Sequence, residues 1–150
     1  MLLQLVYYSR FVPGDQGAMS TVSNILEVSE ANNGRNRITG FLIFDKANFL
    51  QILEGDPADV EQTYQRIALD SRHENIAVIE RREVSGRAFA DWAMGGYVRT
   101  PETRHIYARH GLQDTIDPQT LRANQVVALA LDVLAFESER QSSRGLSARR

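Results

Sequence analysis

FLQILEG, residues 49–55, reads as a buried β-strand and sets the fold. Phe49, Leu50, Ile52 and Leu53 are apolar, and Glu54-Gly55-Asp56-Pro57 closes the run with turn chemistry. Gln51 breaks the pattern. Side chains alternate along a strand, so Gln51 shares a face with Phe49 and Leu53. A primary amide brings two donors and an acceptor to that face, and leaving a buried polar group unpaired costs roughly 1–3 kcal/mol. Either Gln51 is a structural amide bonded to a neighbour or water, or it is addressed to a bound ligand.

Working outward, the strand has a partner just before it. Ile38 to Asp45 forms a second apolar run, and Lys46-Ala47-Asn48 is short enough to make the two an antiparallel hairpin. Phe41 and Ile43 fall on one face, Leu42 and Phe44 on the other. On the far side, Asp56 is placed to cap a helix with Pro57 in its first turn. That helix is predicted to run to about Ser71, with Val60, Tyr64, Ile67 and Ala68 as its apolar stripe.

Leu2 to Ser9 reads as a strand apolar on both faces. Ala18 to about Asn32 follows as a helix, with Val22, Ile25, Leu26 and Ser29 along one side. Asn32-Asn33-Gly34 is expected to stop it, Gly34 serving as a left-handed cap. Asn75 to Val84 and Ala93 to Val98 complete the strands. The order β-α-β-β-α-β-β predicts an α+β, ferredoxin-like mixed sheet with two helices on one face. In that topology the first and third strands are neighbours, which makes Tyr7 a candidate for the helix-covered face if Gln51 points there.

Beyond Thr100 the character changes. Pro101 to His110 suggests a short helix, and Asp117-Pro118 opens a strongly apolar one to about Phe136. These C-terminal helices are expected on the opposite sheet face, covering Leu2, Val6, Leu42, Phe44, Leu50 and Ile52, which would otherwise form too large an exposed patch. The division is 1–100 as the main unit, 101–137 as a helical extension, and 138–150 (SERQSSRGLSARR) as a polar, disordered tail.

Composition narrows the chemistry. The chain has 150 residues, a formal net charge of −2 and no cysteine. Thiolate catalysis, disulfides and cysteine metal sites are excluded, and no global field favours nucleic acid or an anionic membrane. Met1 to Tyr8 is too short to cross a bilayer, so a soluble cytoplasmic protein is expected. The three histidines have no metal-ligand spacing with carboxylates, and neither GxxxxGK nor GxGxxG occurs.

Five elements then carry a family resemblance: Tyr7-Tyr8-Ser9, Asn32-Asn33 with Ile38-Thr39-Gly40, Phe49 to Gly55, Arg72-His73 with Asn75, and Trp92-Ala93-Met94. In order and register they resemble the BLUF domain, the family of blue-light sensors using FAD, over about Met1 to Val98. The C-terminal part resembles the short members without an enzymatic output domain. The resemblance implies a flavin between the two helices, FAD or otherwise FMN or riboflavin. Tyr7 would be the photoactive phenol and Gln51 the amide between it and the flavin. Asn33, with Asn32 beside it, would meet the pyrimidine edge. Ile25, Ser29, Arg72 and His73 would lie around the ring. Trp92 and Met94 would be the fifth-strand pair near the glutamine that carries the signal onward.

The resemblance implies a photoreceptor and not an enzyme. Light would drive electron and proton transfer from Tyr7, Gln51 would rotate or tautomerise, and the fifth strand and C-terminal helices would signal. The expected partners are the flavin, a downstream protein and further copies of the chain, with neither nucleic acid nor membrane. Two rivals stand beside it: a ferredoxin-like regulatory binding module without photochemistry, and a small phosphatase-like enzyme of the same topology.

Overall fold

The computed structural model describes residues 1–14, 17–92, 94–112 and 116–148. Five strands form one mixed sheet in the order β4-β1-β3-β2-β5. They are β1 (Leu2–Phe11), β2 (Thr39–Asp45), β3 (Asn48–Gly55), β4 (His73–Val84) and β5 (Gly95–Val98). The helices are α1 (Ala18–Asn36), α2 (Pro57–Ala68), α3 (Arg104–Arg109) and α4 (Ala123–Ala148), with a 3-10 turn at Pro101–Thr103. The fold class is the one read from the sequence.

β3 lies between β1 and β2, antiparallel to both, and β5 adds parallel to β2. Tyr7 stands directly opposite Gln51, and Gln51 opposite Leu42. Alternation along β3 therefore separates two cores. On one face Leu5, Tyr7, Leu42, Phe44, Phe49 and Leu53 pack with Val22 of α1 and Val60 of α2. On the other, Val6, Phe41, Ile43, Leu50 and Ile52 pack with Ile106 and Tyr107 of α3 and Leu129 and Val133 of α4. Fully burying such a side chain stabilises by about 1.5–3 kcal/mol, so neither face could be left bare.

The C-terminal helices cover the face expected of them, but β2 faces the other way from the expectation. Leu42 and Phe44 point to α1 and α2, while Phe41 and Ile43 meet α3 and α4. The cause is parity. Asp45 pairs with Asn48, so the turn is only Lys46-Ala47, with Lys46 at a positive φ of 57°. Pairing Leu42 with Gln51 then places both on one face.

Helix ends also differ from local signals. α1 runs through Gly34 and stops at Arg37, whose φ of 55° is left-handed and whose N–H donates to the Asn33 carbonyl. Tertiary contacts decide this end: the Arg37 carbonyl accepts from Arg87 Nη2 at 2.8 Å, and Ile38 is buried in the core. α2 begins as expected, with Asp56 Oδ1 accepting from Ala58 N at 3.2 Å. It stops three residues short of Ser71 because Asp70 Oδ1 accepts the Arg72 N–H at 2.9 Å and turns the chain. α4 starts at Ala123 instead of Pro118. Asp117 caps a turn closed by Thr120 N to Asp117 O, 3.1 Å, and the helix entry passes to Arg122, whose N–H donates to Gln125 Oε1 at 3.3 Å.

The segment expected to be a disordered tail is instead helical through Ala148, while Arg149 and Arg150 lie outside the described residues. Arg140 explains part of this: it pairs with Glu102 and lies over the Phe136 ring at 5.9 Å. Extending a formed helix adds one hydrogen bond per residue fixed, without a new nucleus. β5 starts at Gly95, so Trp92 and Met94 precede it; Ala93, its expected first residue, lies outside the described residues.

Candidate functional site

A cavity of about 270 Å³ opens between α1, α2 and the sheet. Its floor is Tyr7, Leu42, Phe49 and Gln51, all forced onto this face by the β1–β3–β2 register. α1 contributes Ile25, Ser29, Asn32 and Asn33, which recur at helical spacing along one side. Arg72 and His73, at the exit from α2 and the start of β4, form a third wall. All eight candidate cofactor residues thus line one cavity.

The floor carries a directed hydrogen-bond chain. Tyr7 and Gln51 are each 3% exposed. The Tyr7 hydroxyl donates to Gln51 Oε1, and Gln51 Nε2 donates to Met94 Sδ at 3.3 Å. The opposite amide orientation would turn the carbonyl toward a thioether, which has no proton to give. Burial pushes the Tyr7 phenol well above its ordinary pKa, with Tyr64 and Asp70 adding to the rise, so it stays protonated as a donor. Tyr64 stands edge-on to Tyr7, ring centroids 5.6 Å apart at 69°.

Of the two candidate signalling residues, Met94 is therefore the neighbour of Gln51. Trp92 is half-buried against the opposite core, the one that holds Phe41. His73 is held at both ring nitrogens, Nδ1 with Ser9 Oγ at 2.8 Å and Nε2 with the Ile67 carbonyl at 2.6 Å. Arg72 Nε donates to Asp70 Oδ1 at 2.9 Å, and Nη1 reaches Asn24 Oδ1 at 2.8 Å. The hydrogen bonds from Arg72 hold the Asp70 carboxyl below the usual carboxylate range. Asn33 is buried, and its carbonyl accepts from Ile38 N at 3.0 Å.

Sequence reasoning missed Val28, Leu42, Phe49, Thr63, Arg66, Ile67 and Asp70 as lining residues, Leu42 having been expected on the opposite face. Thr63 lies one turn before Ile67, so the apolar stripe of α2 was the signal for it. Asp70-Ser71-Arg72 is a charged pair across a turn, which could have flagged Asp70.

The residues present fit a flavin. Apolar Ile25, Leu42, Phe49 and Ile67 offer faces for a flat ring, while Gln51, Asn32 and Asn33 bring polar groups to the same cavity. The volume of about 270 Å³ lies near the lower end of small-molecule sites.

Comparison with known proteins gives the same family. The family model described as BLUF, sensors of blue-light using FAD, matches residues 2–95. Photoactivated adenylate cyclase subunit beta of Euglena gracilis is 27% identical over 93 residues, covering 62% of this chain and 11% of that protein. The chain thus spans about a tenth of the length of such curated relatives. Among solved structures, the photo-activated state of BlsA matches with a TM-score of 0.78 at 25% identity, covering 89% of this chain and 95% of that one. BlrB, a BLUF protein in its dark state, matches with a TM-score of 0.71 at 26% identity, over 86% and 96% of the two chains.

Proposed function

The chain belongs to the BLUF family of blue-light sensors, and on that premise we propose that it is a photoreceptor switched by Tyr7 and Gln51. The family is one of sensors, not of catalysts. The observation that supports this reading best is the buried Tyr7–Gln51–Met94 chain at the floor of a ring-sized cavity. Ile25, Ser29 and Asn32 from α1, with Arg72 and His73 opposite, would hold the flavin, and Asn33 would meet its polar edge. FAD is the assigned form, after the family's description. The flavin, when bound, supplies blue-light absorption and an electron acceptor.

The rest falls to the chain's own groups. Burial keeps Tyr7 protonated, so its loss of an electron to the flavin would be coupled to movement of the hydroxyl proton toward Gln51 Oε1, the acceptor already in place, with the amide giving up an Nε2 proton in turn if that proton is transferred fully. The amide then rearranges, and its Nε2–H leaves Met94 Sδ. Met94 is one residue before β5, and β5 leads directly to Arg99, which pairs with Asp45 at 3.0 Å and lies over the Tyr107 ring of α3 at 4.3 Å. Residues 1–100 act as the sensor, and α3 and α4 as the output toward a downstream protein or a further copy of the chain. Among the described residues no helix is long and apolar enough to cross a membrane, and a cytoplasmic location is part of this reading.

Light tests it directly. The purified protein should be yellow, and blue light should shift the flavin band reversibly to longer wavelength. Gln51→Leu should keep the flavin and lose the shift; a full reversible shift in that variant refutes the mechanism.

A further inference from the structure

Glu54 belongs to the motif that sets the fold, yet the photochemical reading gives it no part. It lies on β3 three residues from Gln51, on the opposite face, and is 0% exposed. A buried carboxylate is costly unless fully bonded. Here Oε2 accepts from Ala88 N at 2.9 Å and Gln4 Nε2 at 3.0 Å, and Oε1 accepts from Phe89 N at 2.9 Å and Thr39 Oγ1 at 3.5 Å. Glu54 thus grips two consecutive backbone N–H groups of the segment that joins β4 to β5.

That segment is fastened at further points. Arg87 donates to the Glu54 carbonyl and to Thr39 Oγ1, each at 2.9 Å, and to the Arg37 carbonyl at 2.8 Å. Phe89 stacks on Phe41, centroids 5.5 Å apart at 27°. Trp92 N donates to Phe89 O, and Trp92 O accepts from Gly40 N, both at 3.0 Å. A Cβ at Gly40 would fall 2.0 Å from the Ile52 carbonyl oxygen, so the glycine lets the backbones approach here. Two residues beyond Trp92, Met94 Sδ meets Gln51 Nε2.

The contacts close a ring: Gln51, along β3 to Glu54, across to Ala88 and Phe89, on through Trp92 to Met94, and back to Gln51. We propose that Glu54 is a positioning residue, the anchor that sets the Met94 sulfur against the Gln51 amide and directs its displacement into β5. One end of the ring is clamped by a four-bonded carboxylate, and the other is a single weak N–H to sulfur bond. When the amide turns, the weak end gives way, and motion passes downstream of Trp92 instead of back into residues 85–92. An apolar side chain in its place would strip the Ala88 and Phe89 N–H groups of their acceptors, so the carboxylate both satisfies that backbone and fixes one defined path for the segment. The proposal rests on the reading of Gln51 as the switching amide.

The test is a cycle on the full flavin-loaded chain: wild type, Glu54→Gln, Met94→Leu and the double variant. The glutamine keeps the shape of Glu54 but puts an NH2 against N–H donors, so one of Ala88 and Phe89 loses its acceptor. Two quantities are read: the dark-recovery rate after blue light, and the dark NMR signals of the Gln51 side-chain amide and the Met94 methyl. Glu54→Gln should retain flavin, change recovery by roughly twofold or more, the lower range for coupled contacts, and move both NMR signals. In the Met94→Leu background it should leave the recovery rate unaltered. An equal factor in both backgrounds, or unmoved signals, makes Glu54 a stability element alone and overturns the proposal. Arg87→Gln, which loosens the same segment, enters the cycle if Glu54→Gln does not fold. The NMR comparison needs no photochemistry. A wild type without a light-induced shift sinks the photoreceptor reading, and the NMR signals still decide Glu54.

Discussion

Removing the Tyr7 hydroxyl should cost stability as well as photochemistry, and the structure says how much. In Tyr7→Phe, Gln51 Oε1 loses its donor inside a site where both residues are 3% exposed. Turning the amide over offers no rescue, because its other neighbour is the Met94 thioether. An orphaned buried acceptor costs about 1–3 kcal/mol. In a chain of this length each kcal/mol lowers Tm by about 2–4 °C. Gln51→Leu should cost a similar amount for the reciprocal reason, since the Tyr7 O–H is then buried without an acceptor. The double variant removes both polar groups at once, so its loss should fall short of the two single losses added by about 1 kcal/mol or more. Urea unfolding of the four proteins in the dark, at constant excess flavin, measures this term. Any flavin contact of Gln51 is lost in both of its variants and cancels from the cycle. Strict additivity, or single variants as stable as wild type, would refute the hydrogen bond on which the mechanism stands. Neither single variant should show the normal light-induced shift.

Three further outcomes follow from the same geometry. Asn33→Ala should lower flavin affinity by roughly 5- to 150-fold, the equivalent of about 1–3 kcal/mol for an unpaired edge; unchanged titration of apoprotein with flavin would return Asn33 to the part of a helix-end residue. Leu129→Ala, at a 0% exposed position of α4, should cost about 2–5 kcal/mol in urea unfolding, and a loss well under 1 kcal/mol would mean that α4 is not the cover of the sheet. Arg99→Ala strips the ion-pair partner from Asp45, whose side chain is 1% exposed, and should cost about 3–5 kcal/mol, with Arg99→Lys milder; thermal melts that do not separate the two variants from wild type would contradict that buried pair.

What the sequence disclosed, and what it withheld, divides along a physical line. The Gln51 strand, its hairpin partner and the Asp56-Pro57 helix start were legible because each signal is local: period-two alternation, a short turn, a cap followed by proline. On α1 the side that carries Ile25 and Ser29 was legible for the same reason, whereas Asn32 and Asn33 read locally as a helix stop and were expected in the site only through the family resemblance. The face of β2 was not, because it hangs on the parity of one turn residue, and only the Asp45–Asn48 pair decides it. The end of α1 was misread at Gly34 because Arg87, some 50 residues on, holds the Arg37 carbonyl. Trp92 and Met94 could not be told apart by alternation because the chain passes from one sheet face to the other before β5 begins. Two of these three failures involve residues 87–94, the segment fastened by Glu54 and Arg87. Local signals and the final structure tend to disagree where a protein uses long-range contacts to hold a segment against its own preference, and such places are expected at functional sites. Here the held segment ends on the sulfur that accepts from Gln51. A joint set by distant contacts, instead of by its own turn chemistry, is one that the loss of a single distant hydrogen bond can reset, and that is the property a switch placed between Gln51 and β5 requires.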